Sequence, residues 1–427
     1  MKHWIILMLV IASIGVATVF GGKWYADQGI QAYYQALNRT EKNYEIHLEK
    51  FEMGSLAGEA HWSFKVFLNP CRHDGILHFK GTDHIERNWN GYQVKSTVVL
   101  KNPPAAFQTW LNRPIQMTQD INWVGKIHTS VHIPQFNTLK LWNHTDLSTS
   151  DLQLELQAER LNDNIQFTQA VVKTPQLSLS TAQNSLQLEE LTWTSNQGLN
   201  KNLFESGQMS LNIQKANFES FDGEKRYYFE LNQYAQQLKT DIQEPLVKLD
   251  HQIKIQRAEF NGQRALEQVN LKIEINDLKR VLLNQIFKVI EQAQNSCVAY
   301  ESFKNDIDQS VTALFNEGFS FQLLENTMDY DGQPNRLDAK GVLLPNYEKS
   351  VRHFSSAVSR LIDAKFKAQF DPQMISIIFP HASVDVTSKL NSQKIENALQ
   401  KLESEHKALR SGRLVTMEGH FQLGNFN

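Results

Sequence analysis

The densest run of potential metal ligands and proton carriers in the chain is CRHDGILHFKGTDHIER, which sets Cys71, His73, Asp74, His78, Asp83 and His84 within fourteen residues. Thiolate, imidazole and carboxylate are the donors that zinc takes, and a site could draw on Cys71, His73, His78 and Asp83. Zinc ligands come at recognisable spacings, however. This run fits neither a finger nor an H-E-x-x-H helix, and no second cysteine lies nearby. If the run is strand, neighbours at odd spacing point to opposite faces and cannot meet on one ion. It therefore reads as solvated polar residues around a hairpin.

Other patterns fail on their own chemistry. Asp329-Tyr330-Asp331-Gly332 begins like a calcium loop, but Pro334 follows and Lys340 stands where the closing glutamate belongs, so it reads as a turn. In Gly54-Ser55-Leu56-Ala57-Gly58 the serine comes one place early for a nucleophile elbow, and no strand-then-helix frame surrounds it. Asp306 and Asp308 lie two apart on a predicted helix, so they do not face each other as an acid and a base would. Glycine-rich phosphate loops are absent. No catalytic, cofactor-binding or metal-ligating residue is assigned, and the chain reads as a non-enzyme without a cofactor.

Composition bounds the partners. The 427 residues are 41% hydrophobic and 21% charged, with 24 Phe and 11 Tyr, enough for one or two sizeable cores. A formal charge of −3 with no basic block argues against nucleic acid. The two cysteines, Cys71 and Cys297, exclude a small disulfide scaffold; they either form one long-range bridge or remain two buried thiols.

The elements that must position these residues begin with an apolar run. Trp4 to Phe20 carry no charge, which reaches the lower limit of about 17 residues for a spanning helix. Gly21-Gly22 and then Lys23-Trp24-Tyr25 follow, a cation and two rings of the kind that settle at headgroup level. Gly15 and Ala17 are a small-residue pair that could serve for cleavage, but they lie inside the run rather than after it. Residues 1–22 are thus predicted to be an uncleaved membrane anchor. Ile30, Tyr33, Tyr34 and Leu37 continue at helical spacing, making 23–43 a membrane-proximal helix. The remainder is expected on the far side of the membrane.

From 44 to 275 the hydrophobic period is two, as in Ala60, Trp62, Phe64, Val66 and Leu68, or Leu152, Leu154 and Leu156. Later runs such as VKLDHQIKI (247–255) and VNLKIEI (269–275) repeat it. One apolar and one wet face predict half-buried antiparallel strands. After Ile275 the period becomes helical, with Leu278, Leu282, Ile286, Val289, Cys297, Phe303, Ile307 and Leu314 on one stripe until Gly318 stops it. This is one helix of about forty residues or two joined near Asn295-Ser296. A hairpin follows over FSFQL (319–323) and RLDAKGVLL (336–344). A helix from Pro345-Asn346 carries Val351, Phe354, Val358, Leu361 and Phe366 and ends before Pro372. Another spans Ser392 to Leu409, before a last strand or hairpin in LVTMEGHFQL. The prediction is an α+β protein: an N-terminal transmembrane helix, antiparallel sheet over 44–275, and long amphipathic helices in 276–427 packed on one side of that sheet.

In order of elements, from the anchor leading into G-x-W-Y to the FSFQLLENTMDYDGQPNRLDAKGVLLPN hairpin and the terminal strands, the chain resembles the YdgA-like family. These are bacterial inner-membrane-anchored periplasmic proteins of unassigned biochemistry. Met53-Gly54-Ser55-Leu56-Ala57-Gly58 answers a short glycine-rich segment of that family. Asp83-His84-Ile85-Glu86 stands where the family carries His-Gly-Pro. The resemblance implies a single-pass protein whose bulk is periplasmic, and it supplies no catalytic residues to carry over.

Two non-enzymatic functions follow. In the leading one the protein is an envelope scaffold, its long helix and sheet edges meeting an envelope protein or a second copy as a homodimer. In the alternative, the sheet curls and its apolar face binds or transfers lipid or another apolar ligand.

Overall fold

A computed structural model describes residues 39–40, 44–54, 56–69, 74–101, 114–122, 124–141, 145–161, 164–196, 206–222, 225–262, 265–295, 301–346, 360–374, 392–422 and 425–426. Of the described residues, 73% are strand and 15% helix. It divides into two compact units, Met1–Arg226 with Asn295–Cys297, and Tyr227–Gln294 with Val298–Asn427.

Unit 1 is an antiparallel meander. Its strands are β1 (Arg39–Thr40), β2 (Tyr44–Met53), β3 (Ala57–Asn69), β4 (Asp74–Asn88), β5 (Gly91–Lys101), β6 (Ile115–Asn122) and β7 (Lys126–Ile133), each paired with the next. A small hairpin, β8 (Phe136–Leu141) and β9 (Thr145–Thr149), is inserted before β10 (Leu152–Leu161), which returns to pair with β7. The long β11 (Asn164–Ser180) carries β10 and β9 end to end along one edge and β12 (Asn184–Ser195) along the other, and β13 (Gly207–Asp222) follows β12. Alternation decides the faces. Ala60, Trp62, Phe64, Phe79, Val94, Val98, Met117 and Val131 are all at most 4% exposed, while their sequence neighbours, apart from the buried Ser63, face water or are half-buried.

Unit 2 is a second meander. It comprises β14 (Lys225–Gln243), β15 (Leu246–Phe260), β16 (Leu266–Lys279), β17 (Phe319–Tyr330), β18 (Gln333–Leu343), β19 (Ile362–Phe370) and β21 (Leu414–Gln422), again each paired with the next. Two short strands, β20 (Ala408–Ser411) and β22 (Asn425–Phe426), share the outer edge of β21. The longer helices among its described residues are α1 (Arg280–Asn295), α2 (Glu301–Asn316) and α3 (Ser392–Ser404). α2 ends where Gly318 adopts φ +75, its N–H bonded to the Phe315 carbonyl. The β17–β18 hairpin turns on Asp331-Gly332, both in the left-handed region that a two-residue turn demands.

The predicted α+β layout, with long helices laid over the sheet, is not what forms. β16 runs on to Lys279 before α1 begins, and α1 and α2 are 16 residues each. Leu282, Ile286 and Val289 of the predicted stripe are only half-buried, and Val281 beside them is 63% exposed, so α1 does not cover a core with its whole apolar stripe. The helix predicted to reach Phe366 is overturned at its end: Ile362–Phe370 is strand, with Ala364, Phe366, Ala368 and Phe370 on one face. Residues 39–40 of the predicted membrane-proximal helix are also strand. No helix among the described residues is long and apolar enough to cross a membrane, and the anchor predicted at residues 1–22 lies outside them.

Candidate functional site

The ligand-rich run of the sequence is separated by its own strand geometry. His78 and Asp83 both belong to β4 and lie an odd number of residues apart, so they occupy opposite faces. Asp83, 2% exposed, points into the unit 1 core and accepts the Trp62 indole N–H at 2.9 Å. His78 is on the other face, where burial and the neighbouring Lys65 and Lys80 lower its pKa. Cys71, Cys297 and His73 lie outside the described residues. Among the described residues no group of three His, Cys, Asp or Glu side chains is placed to hold a metal ion. Asp306 and Asp308 are both exposed on α2.

A concave feature among the described residues lies in unit 2, where sequence reading assigned no residue. A trough of about 510 Å³ crosses five consecutive strands, β15 to β19, on one face of the sheet. Register builds it: His251 and Ile253 face Ile273 and Leu271, Ile273 faces Leu323, and Met328 faces Asn335. Leu337 then faces Ala368, and Phe370 and Met374 close the far end. Five strands at a spacing of about 4.8 Å make it roughly 20 Å long. Most of its apolar side chains are half-buried and Leu337 is 39% exposed, whereas the core face of unit 1 is closed.

A bulge shapes the floor. Leu323 faces Ala339 and Asn326 faces Leu337, so β17 has one more residue than β18 across this interval. Glu325 takes φ +53 and its N–H is held by the Asp338 carboxylate at 2.8 Å. Where the β16–β17 ladder is interrupted, the buried Asn326 amide acts as a substitute peptide. It accepts the Lys272 N–H at 2.6 Å and donates to the Lys272 carbonyl at 3.0 Å. The extra residue bends the strand where the trough crosses it.

The polar groups around the trough are already engaged. His251 Nε2 lies 2.9 Å from the Gln236 amide. Asn335 accepts the Asp371 N–H at 2.7 Å and donates to the Gln333 carbonyl at 2.8 Å. Asp371, 1% exposed, takes Arg413 Nε at 2.9 Å and Nη2 at 2.5 Å, and Arg413 Nη1 reaches Asp331 at 2.7 Å. Charges on the opposite face pair with one another. Lys272 and Lys248 both hold Glu274 at 3.0 Å and draw its pKa below the ordinary carboxylate value; Arg336 does the same to Asp338. A concavity whose polar neighbours are satisfied and whose open surface is apolar offers dispersion and desolvation rather than hydrogen bonding.

The alternation that lines the trough was visible in VKLDHQIKI, VNLKIEI and FSFQL. The bulge at Glu325 and the pairing of β19 beyond β18 have no local signal.

Residues 1–426 match the family described as "Bacterial protein of unknown function (DUF945)", and the chain belongs to that family. No curated protein and no solved structure matches the chain.

Proposed function

We propose that this DUF945 protein holds the acyl chain of a lipid in the unit 2 trough and works as a non-catalytic carrier or acceptor beside a membrane. The observation behind the proposal is the open, apolar, roughly 20 Å concavity whose polar neighbours are engaged within the protein. A polar ligand would have to displace those bonds. A linear hydrocarbon would gain about 25 cal/mol for each Å² of apolar surface it covers and would break none of them.

The second half of the proposal is position. The uncharged run from Trp4 to Phe20 would tether the chain to a membrane, and the resemblance to inner-membrane-anchored proteins supports placing the bulk of the chain in the periplasm. The scaffold function, with a homodimer or envelope partner, drew on a helix of about forty residues that would outrun the sheet. The described helices α1 and α2 are 16 residues each, about 24 Å, and the residues 296–300 between them lie outside the described ones. The trough is the feature that favours the lipid reading.

Native mass spectrometry of the full chain, extracted gently from membranes, tests the ligand. A lipid adduct that disappears in the Leu323→Trp variant, which fills the middle of the trough, is the expected result. Wild-type chain that carries no lipid, or a variant that carries as much as wild type, would remove the proposal.

A further inference from the structure

The three most exposed large apolar side chains among the described residues of unit 1 are not scattered. Leu56 is 70%, Trp89 91% and Val124 77% exposed, and each sits at a hairpin turn: β2–β3, β4–β5 and β6–β7. In a meander, alternate turns share an end of the sheet, so these three share one. Backbone contacts confirm that they are neighbours. The Arg87 N–H donates to the Leu56 carbonyl at 2.7 Å, and Gly91 pairs with Asn122. At Gly91, φ is +155 and a Cβ would lie 1.9 Å from the Ile121 carbonyl oxygen, so the second tip sits hard against the third strand pair.

The turns are built to hold these side chains out. Gly54 N–H bonds the Ala57 carbonyl at 2.8 Å at the first. Asn88 accepts the Asn90 N–H at 2.9 Å at the second, and Asn122 accepts the Lys126 N–H at 2.8 Å at the third. Described turns at the other end of the meander carry Gln135, Ser150-Asp151 and Thr181-Ala182-Gln183 instead. Just behind the apolar tips lies a charged band with both signs, including Lys50–Glu52 at 3.0 Å and Lys95–Glu86 at 3.7 Å.

We infer that the three tips form a membrane-docking edge, with Leu56, Trp89 and Val124 entering the headgroup region of a bilayer. Three separate apolar points at hairpin turns, backed by mixed charge, suit a yielding lipid interface, where Trp settles at headgroup level. The charged band limits entry to the tips and gives no preference for anionic lipid. Chain length agrees with this orientation. Arg39 pairs with Ile46 and Thr40 with Glu45, so the chain reaches β1 from the side of the tips. Ile46 lies about 24 Å along β2 from Met53. Residues 21–38 cover about 27 Å even at helical rise, enough to join the tips' plane to β1. This last argument rests on the proposed tether; the exposed tips do not.

Trp89 emission reads the docking. The full chain and its Trp89→Phe variant are reconstituted in vesicles of plain or dibrominated phosphatidylcholine, and their difference isolates Trp89 among the eight tryptophans. Trp89 should lose most of its emission to the brominated chains and be shielded from acrylamide. Adding Leu56→Ser and Val124→Ser should restore the emission and expose it to acrylamide. Chain that floats with the vesicles while Trp89 stays bright and acrylamide-accessible would overturn the docking and leave the tether standing. Chain that does not float would overturn both.

Discussion

At the scale of the residue, Trp62, Gly81 and Asp83 show how little of a contact is local. Trp62 and Gly81 are directly opposed on β3 and β4, and a Cβ at Gly81 would lie 2.1 Å from indole Cε2. The glycine makes room for the ring, and the ring's N–H then reaches the carboxylate of Asp83 two residues further along. Gly81→Ala must push the indole off that carboxylate, at an overpacking cost of about 1–3 kcal/mol. In a Trp62→Leu background the same substitution has no ring to displace. Denaturant unfolding of the four proteins in this cycle should give a coupling of about 0.5–3 kcal/mol, and strictly additive losses would contradict the contact. The alternation that buries Trp62 is readable from Ala60 to Val66. That Asp83 faces the core is not, because its indole partner comes from a strand 21 residues away, so the sequence reading left it among solvated hairpin polars.

At the scale of the element, the two sheet faces carry different interactions. Outward, Glu274 of β16 is held by Lys272 and Lys248. A carboxylate whose folded pKa lies below its ordinary value, 4.5 here, stabilises the fold above that value, and the contribution is lost as pH falls through the lowered one. Glu274→Gln should therefore cost most at neutral pH, and its deficit should shrink to nothing in acid. Denaturant midpoints of both proteins across that range check it; a deficit that does not vary with pH would count against the pair. Strand β19 shows the limit of pattern reading. Ile362, Ala364, Phe366, Ala368 and Phe370 alternate cleanly, yet Leu361 and Phe366 also extend a helical stripe begun upstream, and the helical reading prevailed. Pairing with β18 and β21 on either side decides for the strand.

At the scale of the molecule, each unit is a meander with one apolar face, and the units differ in how far that face is closed. Residues such as Ala60, Phe79 and Val94 of unit 1 are fully buried, while Ile253, Leu271, Ile273 and Leu323 of unit 2 line an open concavity. The period-two segments that supply both faces were legible in the chain. Whether such a face closes or stays open depends on strand curvature and on what crosses it, which no run of residues declares. The most direct test of the acyl-chain site is to map its occupant by photo-crosslinking the membrane-extracted full chain to a fatty acid carrying a diazirine on its tail. Labelled peptides should come from β15 to β19, with Ile253, Leu271, Leu323, Leu337 and Phe370 among the modified residues, and unlabelled fatty acid should compete the label away. Label that falls elsewhere, or that excess fatty acid does not displace, would contradict a lipid chain in the trough.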